Sequence, residues 1–382
     1  MSASSTSSLP TFSIDFGSIR SMLEYRFTVK DAYIDINGVP IFVVMEEPIK
    51  QKFQELLRDL GNHQLTARIQ KVTDKLIISV FPKPVLNKPR PRINLYLFLA
   101  TIASVTFASY TLVSAIDPRL AAAFFSGSNM EIQVVVLAVS LIGIVGIHEL
   151  GHLLAVRHHK MDATLPYFLP VPFGFGTFGA LISLRSPPGN RDQLFDLGIS
   201  GPIAGFVATI TVALFAYLTA PLLSEQQVLI LLRANLLTST TWPNEPLLLA
   251  LMTNLGVRVV PAGQILVLTH VVLAVEFGAL ITFLNLLPVW QLDGGHIARA
   301  TYGDRGHVVT ALVGVYVLYL AGWLQKGYWV FALMLIGLMI FSRRPLQGLE
   351  PLDDVSPLST SRKVLYPLAL AMLVLCFFFF TF

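Results

Sequence analysis

Apolar residues form long uninterrupted runs over most of this chain, whereas short alternation of polar and apolar residues is confined to its first part. A run of about 20 apolar residues is long enough to cross a bilayer as a helix. From residue 93 onward such runs predict about seven spans, at residues 93–115, 131–157, 195–219, 264–288, 307–324, 328–342 and 364–382. The pattern predicts a polytopic α-helical membrane protein.

The first part of the chain follows a different pattern. Residues 12–84 contain strand-like alternation, and Asn37-Gly38 is a strong hairpin signal. Residues 50–60 carry apolar positions at helical spacing. We therefore expect a small soluble α+β domain here. It would follow a disordered N-terminus and connect through a Pro-rich linker to a membrane-embedded domain; these three segments are residues 1–11, 85–92 and 93–382.

Residues 161–194 are apolar, but they do not have the pattern of an ordinary span. Several helix-breaking residues interrupt them: Pro166, Pro170, Pro172, Gly174, Gly176 and Gly179. Irregular backbone at membrane depth is tolerated only where protein or a water-filled cavity surrounds it. We expect Tyr167 to Leu184 to form a re-entrant extended loop or a short hairpin. Residues 221–262 are expected to form a long outer loop.

Composition and charge agree with a membrane protein. The chain has 382 residues, of which 54% are hydrophobic and 13% charged, and soluble domains carry about 25% charged residues. Most Lys and Arg near the predicted spans lie on one side, and the other side receives only Arg119, Arg233, Arg258 and Lys326. By the positive-inside rule the N-terminus is cytoplasmic. This asymmetry explains the net charge of +4 without a nucleic-acid partner.

One predicted span contains the sequence His148-Glu149-Leu150-Gly151-His152. Residues four apart lie on one face of a helix, so both imidazoles can bind one ion. Glu149 is placed to act on water bound to that ion. Charged residues inside a membrane are expensive and mark functional sites. Because Cys376 is the single cysteine, a cysteine-based zinc site is excluded. The pattern predicts zinc hydrolysis below the membrane surface, although two histidines satisfied within a helical bundle would be the structural alternative.

A hydrolytic zinc site needs three protein ligands and an open position for water. The two histidines lie one to two turns from the cytoplasmic boundary marked by Arg157. Asp293 follows an apolar span near the same boundary and is our predicted third ligand. Glu276 is the competing candidate, but it lies about 20 Å deeper along its helix. We expect Glu276 to be a structural acid inside the bundle.

Asn285 precedes the helix-breaking Pro288 and shares a span with the approach to Asp293. An amide there can donate a hydrogen bond to the oxyanion of a tetrahedral intermediate. The residue chemistry is equally consistent with an asparagine that ties two helices together. We expect His158 and His159 at the surface. For His296 and His307 a structural role is favoured over a role in the site.

Four ordered motifs resemble the site-2 protease family of intramembrane zinc metalloproteases. They are His148 to His152, Gly176 to Ala180, Phe195 to Pro202, and Asn285 to Pro288 running on to Gln291 to His296. The resemblance covers roughly residues 90–345, and it includes prokaryotic and chloroplast-type relatives. It implies that His148, His152 and Asp293 bind one zinc ion, that Glu149 is the general base and that Asn285 assists the transition state. Trp290 departs from the proline or glycine that many relatives have.

The sequence therefore predicts a zinc-dependent metalloendopeptidase of the HExxH type. Its expected substrates are membrane-anchored proteins, cleaved within or beside the bilayer in regulated intramembrane proteolysis. A prokaryotic plasma membrane is the expected location. Two alternatives remain, a metal-ion transporter and a catalytically silent relative that binds membrane helices. The oligomeric state is not predicted.

Overall fold

A computed structural model describes most of the chain. The described residues are 12–45, 48–83, 91–115, 130–234, 245–324 and 349–377, with 329, 332, 333, 335–337 and 340. The predicted N-terminal disorder over residues 1–11 lies outside them. Most of the predicted linker and most of the predicted span at 328–342 also lie outside.

The described residues form ten helices and eight strands. The helices are α1 (Phe16–Glu24), α2 (Ile49–Asn62), α3 (Pro91–Ser114), α4 (Met130–His158), α5 (Arg191–Thr219), α6 (Glu225–Arg233), α7 (Leu247–Asn254), α8 (Val271–Leu286), α9 (Asp293–Leu324) and α10 (Thr360–Leu375). The strands are β1 (Val29–Ile34), β2 (Pro40–Val44), β3 (Leu65–Val72), β4 (Lys75–Pro82), β5 (Tyr167–Pro170), β6 (Thr177–Leu181), β7 (Leu222–Ser224) and β8 (Gln264–Leu266).

The N-terminal region combines α1 and α2 with a four-stranded antiparallel sheet in the order β1-β2-β4-β3. The turn between β1 and β2 is closed by Asp35, whose Oδ1 accepts from the main chain of Val39 at 2.7 Å and Asn37 at 2.9 Å. The bond from Val39 is the main cause of a lowered pKa at Asp35. The apolar face of α2 is buried in a hydrophobic core that is separate from the core of the membrane helices.

Four described helices are long and apolar enough to cross a membrane: α3, α4, α5 and α9. Helix α8 is apolar but shorter. The predicted span at 264–288 differs from the structure at its beginning, because residues 264–266 form β8, which pairs with β7, and the helix starts only at Val271. The chain is therefore a helical protein with several candidate membrane spans, and the count of seven stays a prediction.

Helix α9 begins earlier than the predicted span at 307–324 and is broken about one third of the way along its length. Gly303 has φ 73° and ψ −167°, a backbone conformation available almost only to glycine. The first part of α9 therefore points in its own direction, and this part begins at Asp293.

The apolar segment from Tyr167 to Leu184 contains the antiparallel pair β5 and β6, with Tyr167 opposite Leu181. Helix α3 holds this hairpin through polar side chains. Asn94 Nδ2 donates to Leu165 O at 2.8 Å, and Ser104 Oγ donates to Gly176 O at 2.7 Å. The hairpin also contacts α4, the helix that carries the two predicted histidine ligands. Its backbone therefore lies against protein on that side.

Candidate metal centre

Helix α4 brings His148, Glu149 and His152 to one buried position. All three are buried, and the rings of the two histidines are 4.9 Å apart. The helical rise places side chains four residues apart one above the other. Ile147, Leu150 and Leu154 of α4 are exposed, so the polar side chains lie on the opposite, inner face of the helix.

Asp293 reaches the same position from the start of α9. Helix α8 ends at Leu286, and the chain turns through Trp290, which has a positive φ of 49°. Gly294 and Gly295 pack directly against this turn, because a Cβ at either position would overlap a main-chain oxygen of Leu286 or Trp290. The two glycines therefore allow the tight reversal that points Asp293 back toward α4.

The three predicted ligand atoms form a nearly equilateral triangle. His148 Nε2 and His152 Nε2 are 3.2 Å apart, and each lies 3.3 Å from Asp293 Oδ2. Metal–ligand distances of 2.0–2.1 Å in a tetrahedral site imply ligand atoms separated by about 3.3 Å. Among the described residues, this trio is the group of His, Cys and acidic side chains able to hold a metal ion. The group is consistent with a single zinc site.

The hydrogen bonds of the triangle also fit a cation. His152 Nδ1 lies 2.9 Å from Leu197 O, and a carbonyl can only accept, so Nδ1 carries the proton and Nε2 carries the lone pair. Asp293 Oδ2 is buried without a hydrogen-bond partner in the described structure. Lone pairs of nitrogen and carboxylate oxygen aimed at one point repel each other unless a positive charge lies between them. Metal-binding histidines typically donate a hydrogen bond from the other ring nitrogen, as His152 Nδ1 does to Leu197 O.

Glycines of α5 make room for the histidine rings. A Cβ on Gly201 would overlap His152 Nε2, and a Cβ on Gly205 would come within 2.9 Å of His148 Nδ1. On the other face of the contact, a Cβ on Gly151 would lie 2.5 Å from Ser200 O. These glycines therefore form part of the wall of the predicted metal centre.

A cavity of about 150 Å³ opens beside the triangle. It is lined by the three ligands and by Glu149, Asn285, His296, Gln291, Leu292, Leu197 and the hairpin residues Ala180, Leu181, Ile182 and Leu184. Asn285 Nδ2 lies 3.3 Å from His148 Nε2. The cavity is therefore bordered by the predicted base Glu149, the predicted hydrogen-bond donor Asn285 and the edge of β6.

The remaining candidate residues agree with the sequence-based expectations only in part. Glu276 is on α8 and does not line the cavity, as its depth predicts. His296 does line it, although the sequence favours a purely structural role. His159 is not a free surface residue: its Nε2 lies 2.9 Å from Asp196 Oδ2. Position in a basic cluster suggested exposure for His159, but Asp196 from α5 is its partner.

A comparison with known protein families matches the part of the chain that contains this centre. The family model of Peptidase family M50 matches residues 136–322. This part of the chain is therefore similar to peptidase family M50. All three predicted ligands, Glu149 and Asn285 lie inside the matched range, and the N-terminal sheet lies before it. The predicted relationship to the site-2 proteases is confirmed by this match.

Curated relatives agree with the M50 assignment. Probable zinc metalloprotease EGY1, chloroplastic, of Arabidopsis thaliana is 29% identical over 307 residues, covering 74% of this chain and 52% of the relative. Probable zinc metalloprotease EGY2, chloroplastic, of Oryza sativa subsp. indica is 27% identical over 264 residues, covering 68% and 46%. The chain spans about half the length of the curated relatives it matches. Their names give no support to the expected prokaryotic plasma membrane.

Proposed function

We propose that the chain is a zinc-dependent endopeptidase that cleaves membrane-anchored proteins at a site within the bilayer. The observation that carries this proposal is the triangle of 3.2–3.3 Å between His148 Nε2, His152 Nε2 and Asp293 Oδ2. The M50 match and the zinc metalloprotease names of the relatives support it. A zinc ion held by these three groups supplies Lewis acidity, which polarises the scissile carbonyl and lowers the pKa of water.

Glu149 is the proposed general base. It lines the cavity beside the ligands and belongs to the same turn of α4. Its carboxylate accepts the proton of the attacking water and delivers it to the nitrogen of the leaving amine. Proton transfer of this kind contributes about 10²- to 10⁴-fold to a rate.

Asn285 is the proposed hydrogen-bond donor for the reacting carbonyl oxygen. Its amide nitrogen faces the ligand triangle at 3.3 Å from His148 Nε2. Donors aimed at the position where negative charge develops stabilise the transition state. The position of the amide supports this role.

The edge of β6 is the proposed holder of the substrate. Among the described strands, β6 pairs with β5 alone, and Ala180, Leu181 and Ile182 line the cavity. A transmembrane helix has its carbonyl groups engaged in hydrogen bonds and must unwind before it can be cleaved. An extended substrate segment can then pair with the free edge of β6 by strand addition.

The test uses purified protein in proteoliposomes with a set of fluorescent membrane-anchored substrates. We expect cleavage by the wild type, its loss after zinc chelation and its return when zinc is restored. Glu149→Gln keeps the size of the side chain but cannot accept the proton, so we expect normal zinc content and at least a hundredfold lower cleavage. His152→Ala is the companion variant and should lose zinc as well.

The outcomes separate the alternatives. Retained cleavage in Glu149→Gln would remove the assignment of the base. Zinc flux into the vesicles that is independent of Glu149, without cleavage, would support a transporter instead. Zinc binding with neither cleavage nor flux would support a silent relative that binds membrane helices.

A further inference from the structure

The segment Glu350–Ser356, here called the connecting segment, lies between the N-terminal sheet and the helices of the metal centre. Its main chain bonds to both. Ile69 N of β3 donates to Leu352 O at 2.9 Å, and Leu352 N and Asp353 N donate to Pro188 O and Gly189 O at 2.8 and 3.1 Å. Main-chain hydrogen bonds of the connecting segment therefore link β3 on one side to the loop that precedes α5 on the other.

Side chains attach the connecting segment firmly to the N-terminal domain. Leu352 and Val355 pack against the hydrophobic core of that domain. Glu350 forms an ion pair with Arg68 of β3. The domain also contacts α5 directly through Lys50, whose Nζ lies 2.7 Å from Asp192 Oδ2. The position of the segment is thus set by the folded N-terminal domain.

Asp354 of the connecting segment binds two arginines from two different helices. Arg299 of α9 donates from Nη1 to Oδ1 at 2.8 Å and from Nη2 to Oδ2 at 2.7 Å. Arg191, the first residue of α5, donates from Nε to Oδ1 at 3.2 Å and from Nη2 to the main-chain oxygen of Asp354 at 2.7 Å. One carboxylate therefore ties the start of α5 to the first part of α9.

Helices α5 and α9 supply the parts of the predicted metal site that α4 does not carry. Helix α9 carries Asp293, and Arg299 follows it before the break at Gly303, about 9 Å along the axis at the helical rise. Helix α5 carries Leu197, whose oxygen orients His152, and Gly201, which makes room for its ring. The separation of α5 and α9 thus decides where Asp293 meets the imidazoles.

Arg299 is only 1% exposed. Its nearest charged partner is Asp354 at 2.7 Å, and Asp304 Oδ1 lies farther away, 3.8 Å from Arg299 Nε. A buried cation without its partner is strongly unfavourable. Helix α9 can relieve that cost by shifting so that Arg299 reaches water, and this shift would carry Asp293 away from the histidines. An ion pair outside the cavity can therefore change the position of a predicted metal ligand.

We propose that Asp354 and Arg299 are positioning residues for the metal centre, through which the N-terminal domain braces the first part of α9 against α5. The inference rests on the proposed zinc site and adds a role for the N-terminal domain. It predicts that metal affinity depends on an ion pair that contacts no ligand.

The test measures zinc affinity of the full-length protein in detergent by competition with a chromophoric chelator. The visible absorption of the Co²⁺-substituted protein reports the geometry of the ligands. Asp354→Asn should bind zinc roughly tenfold more weakly, in the range known for outer partners of metal ligands, with a changed Co²⁺ spectrum. Asp354→Glu keeps the carboxylate and should recover most of the affinity.

The matched control is Asp59→Asn, which breaks an ion pair with Arg26 inside the N-terminal domain. It should leave zinc affinity and the Co²⁺ spectrum unchanged. Wild-type affinity and spectrum in Asp354→Asn, or equal losses in both variants, would overturn the proposal. If Asp354→Asn does not fold, Arg299→Lys gives the same test. The ammonium group of lysine cannot make the bidentate pair that the guanidinium of Arg299 makes with Asp354. A wild-type protein that binds no zinc would instead contradict the proposed function.

Discussion

Helix α2 of the N-terminal domain buries only apolar side chains, whereas helix α4 of the membrane domain buries polar and charged side chains as well. In α2 the apolar residues Ile49, Phe53, Leu56 and Leu60 recur at helical spacing, and all four are buried. In α4 the buried face includes His148, Glu149 and His152, while Ile147, Leu150 and Leu154 lie on the outer surface. The same helical geometry therefore places only apolar side chains on the buried face of α2 and adds the predicted metal ligands to the buried face of α4.

The surrounding solvent explains this difference. In water, burial of apolar area drives a helix onto its sheet. In a bilayer, lipid chains are as apolar as leucine, so helices associate through close packing of small residues and through polar contacts. Helix α5 follows this rule, because Gly201 and Gly205 face the histidines of α4. A metal centre can be built on such a contact, since the glycines leave space for imidazole rings.

The strongest way to break the membrane arrangement is to fill that space. Gly201→Ala would place a methyl group where His152 Nε2 lies, so the ring must leave the ligand triangle. We expect zinc affinity to fall by roughly a hundredfold, the upper end of effects seen when groups around metal ligands are changed. Zinc content after dialysis, measured by mass spectrometry, checks this expectation.

Gly146→Ala is the matched control for that substitution. Gly146 lies on α4, the helix of the ligands, and a Cβ there meets nothing within 4 Å. Zinc content should equal that of the wild type. Normal zinc in Gly201→Ala, or equal loss in both variants, would show that the α4–α5 contact does not shape the centre.

A core substitution in the N-terminal domain tests the other side of the comparison. Leu56 is fully buried, and Leu→Ala at such sites costs about 2–5 kcal/mol through lost burial and the remaining cavity. In Leu56→Ala we expect the amides of α2 and of the sheet to exchange hydrogen faster than in the wild type. Mass spectrometry measures this exchange. Unchanged exchange would mean that this core does not hold the domain together.

The smallest effect is expected for the same substitution on the membrane helix. Leu150 is 48% exposed on the outer surface of α4, where lipid would replace the lost contacts. Leu150→Ala should change stability by less than about 1 kcal/mol, with wild-type exchange in α4 and wild-type zinc content. A loss as large as that of Leu56→Ala would refute the proposed lipid-facing position.

Much of the metal centre could be anticipated because its chemistry is local. The spacing of His148 and His152 on a helix follows from sequence alone. Asp293 was predicted by matching its membrane depth to theirs, and the structure brings its Oδ2 within 3.3 Å of both rings. Glu276 is excluded from the cavity by the same argument of depth.

Contacts between distant segments could not be anticipated. His159 was expected at the surface, yet it contacts Asp196, and His296 lines the cavity. Asp354 is one of several acids near the end of the chain, and nothing in the residues around it indicates Arg299 as its partner. Pairing of this kind depends on which helices become neighbours.

The sequence by itself determined that apolar helices carry a buried pair of imidazoles with an acid beside them, because periodicity and hydrophobicity are properties of each segment. Only the tertiary structure decided that Gly201 would face His152, that β6 would border the cavity and that Asp354 would join α5 to α9. The physical reason is that these contacts depend on the distance between helices. That distance is set by packing and by paired charges from parts of the chain far apart in sequence.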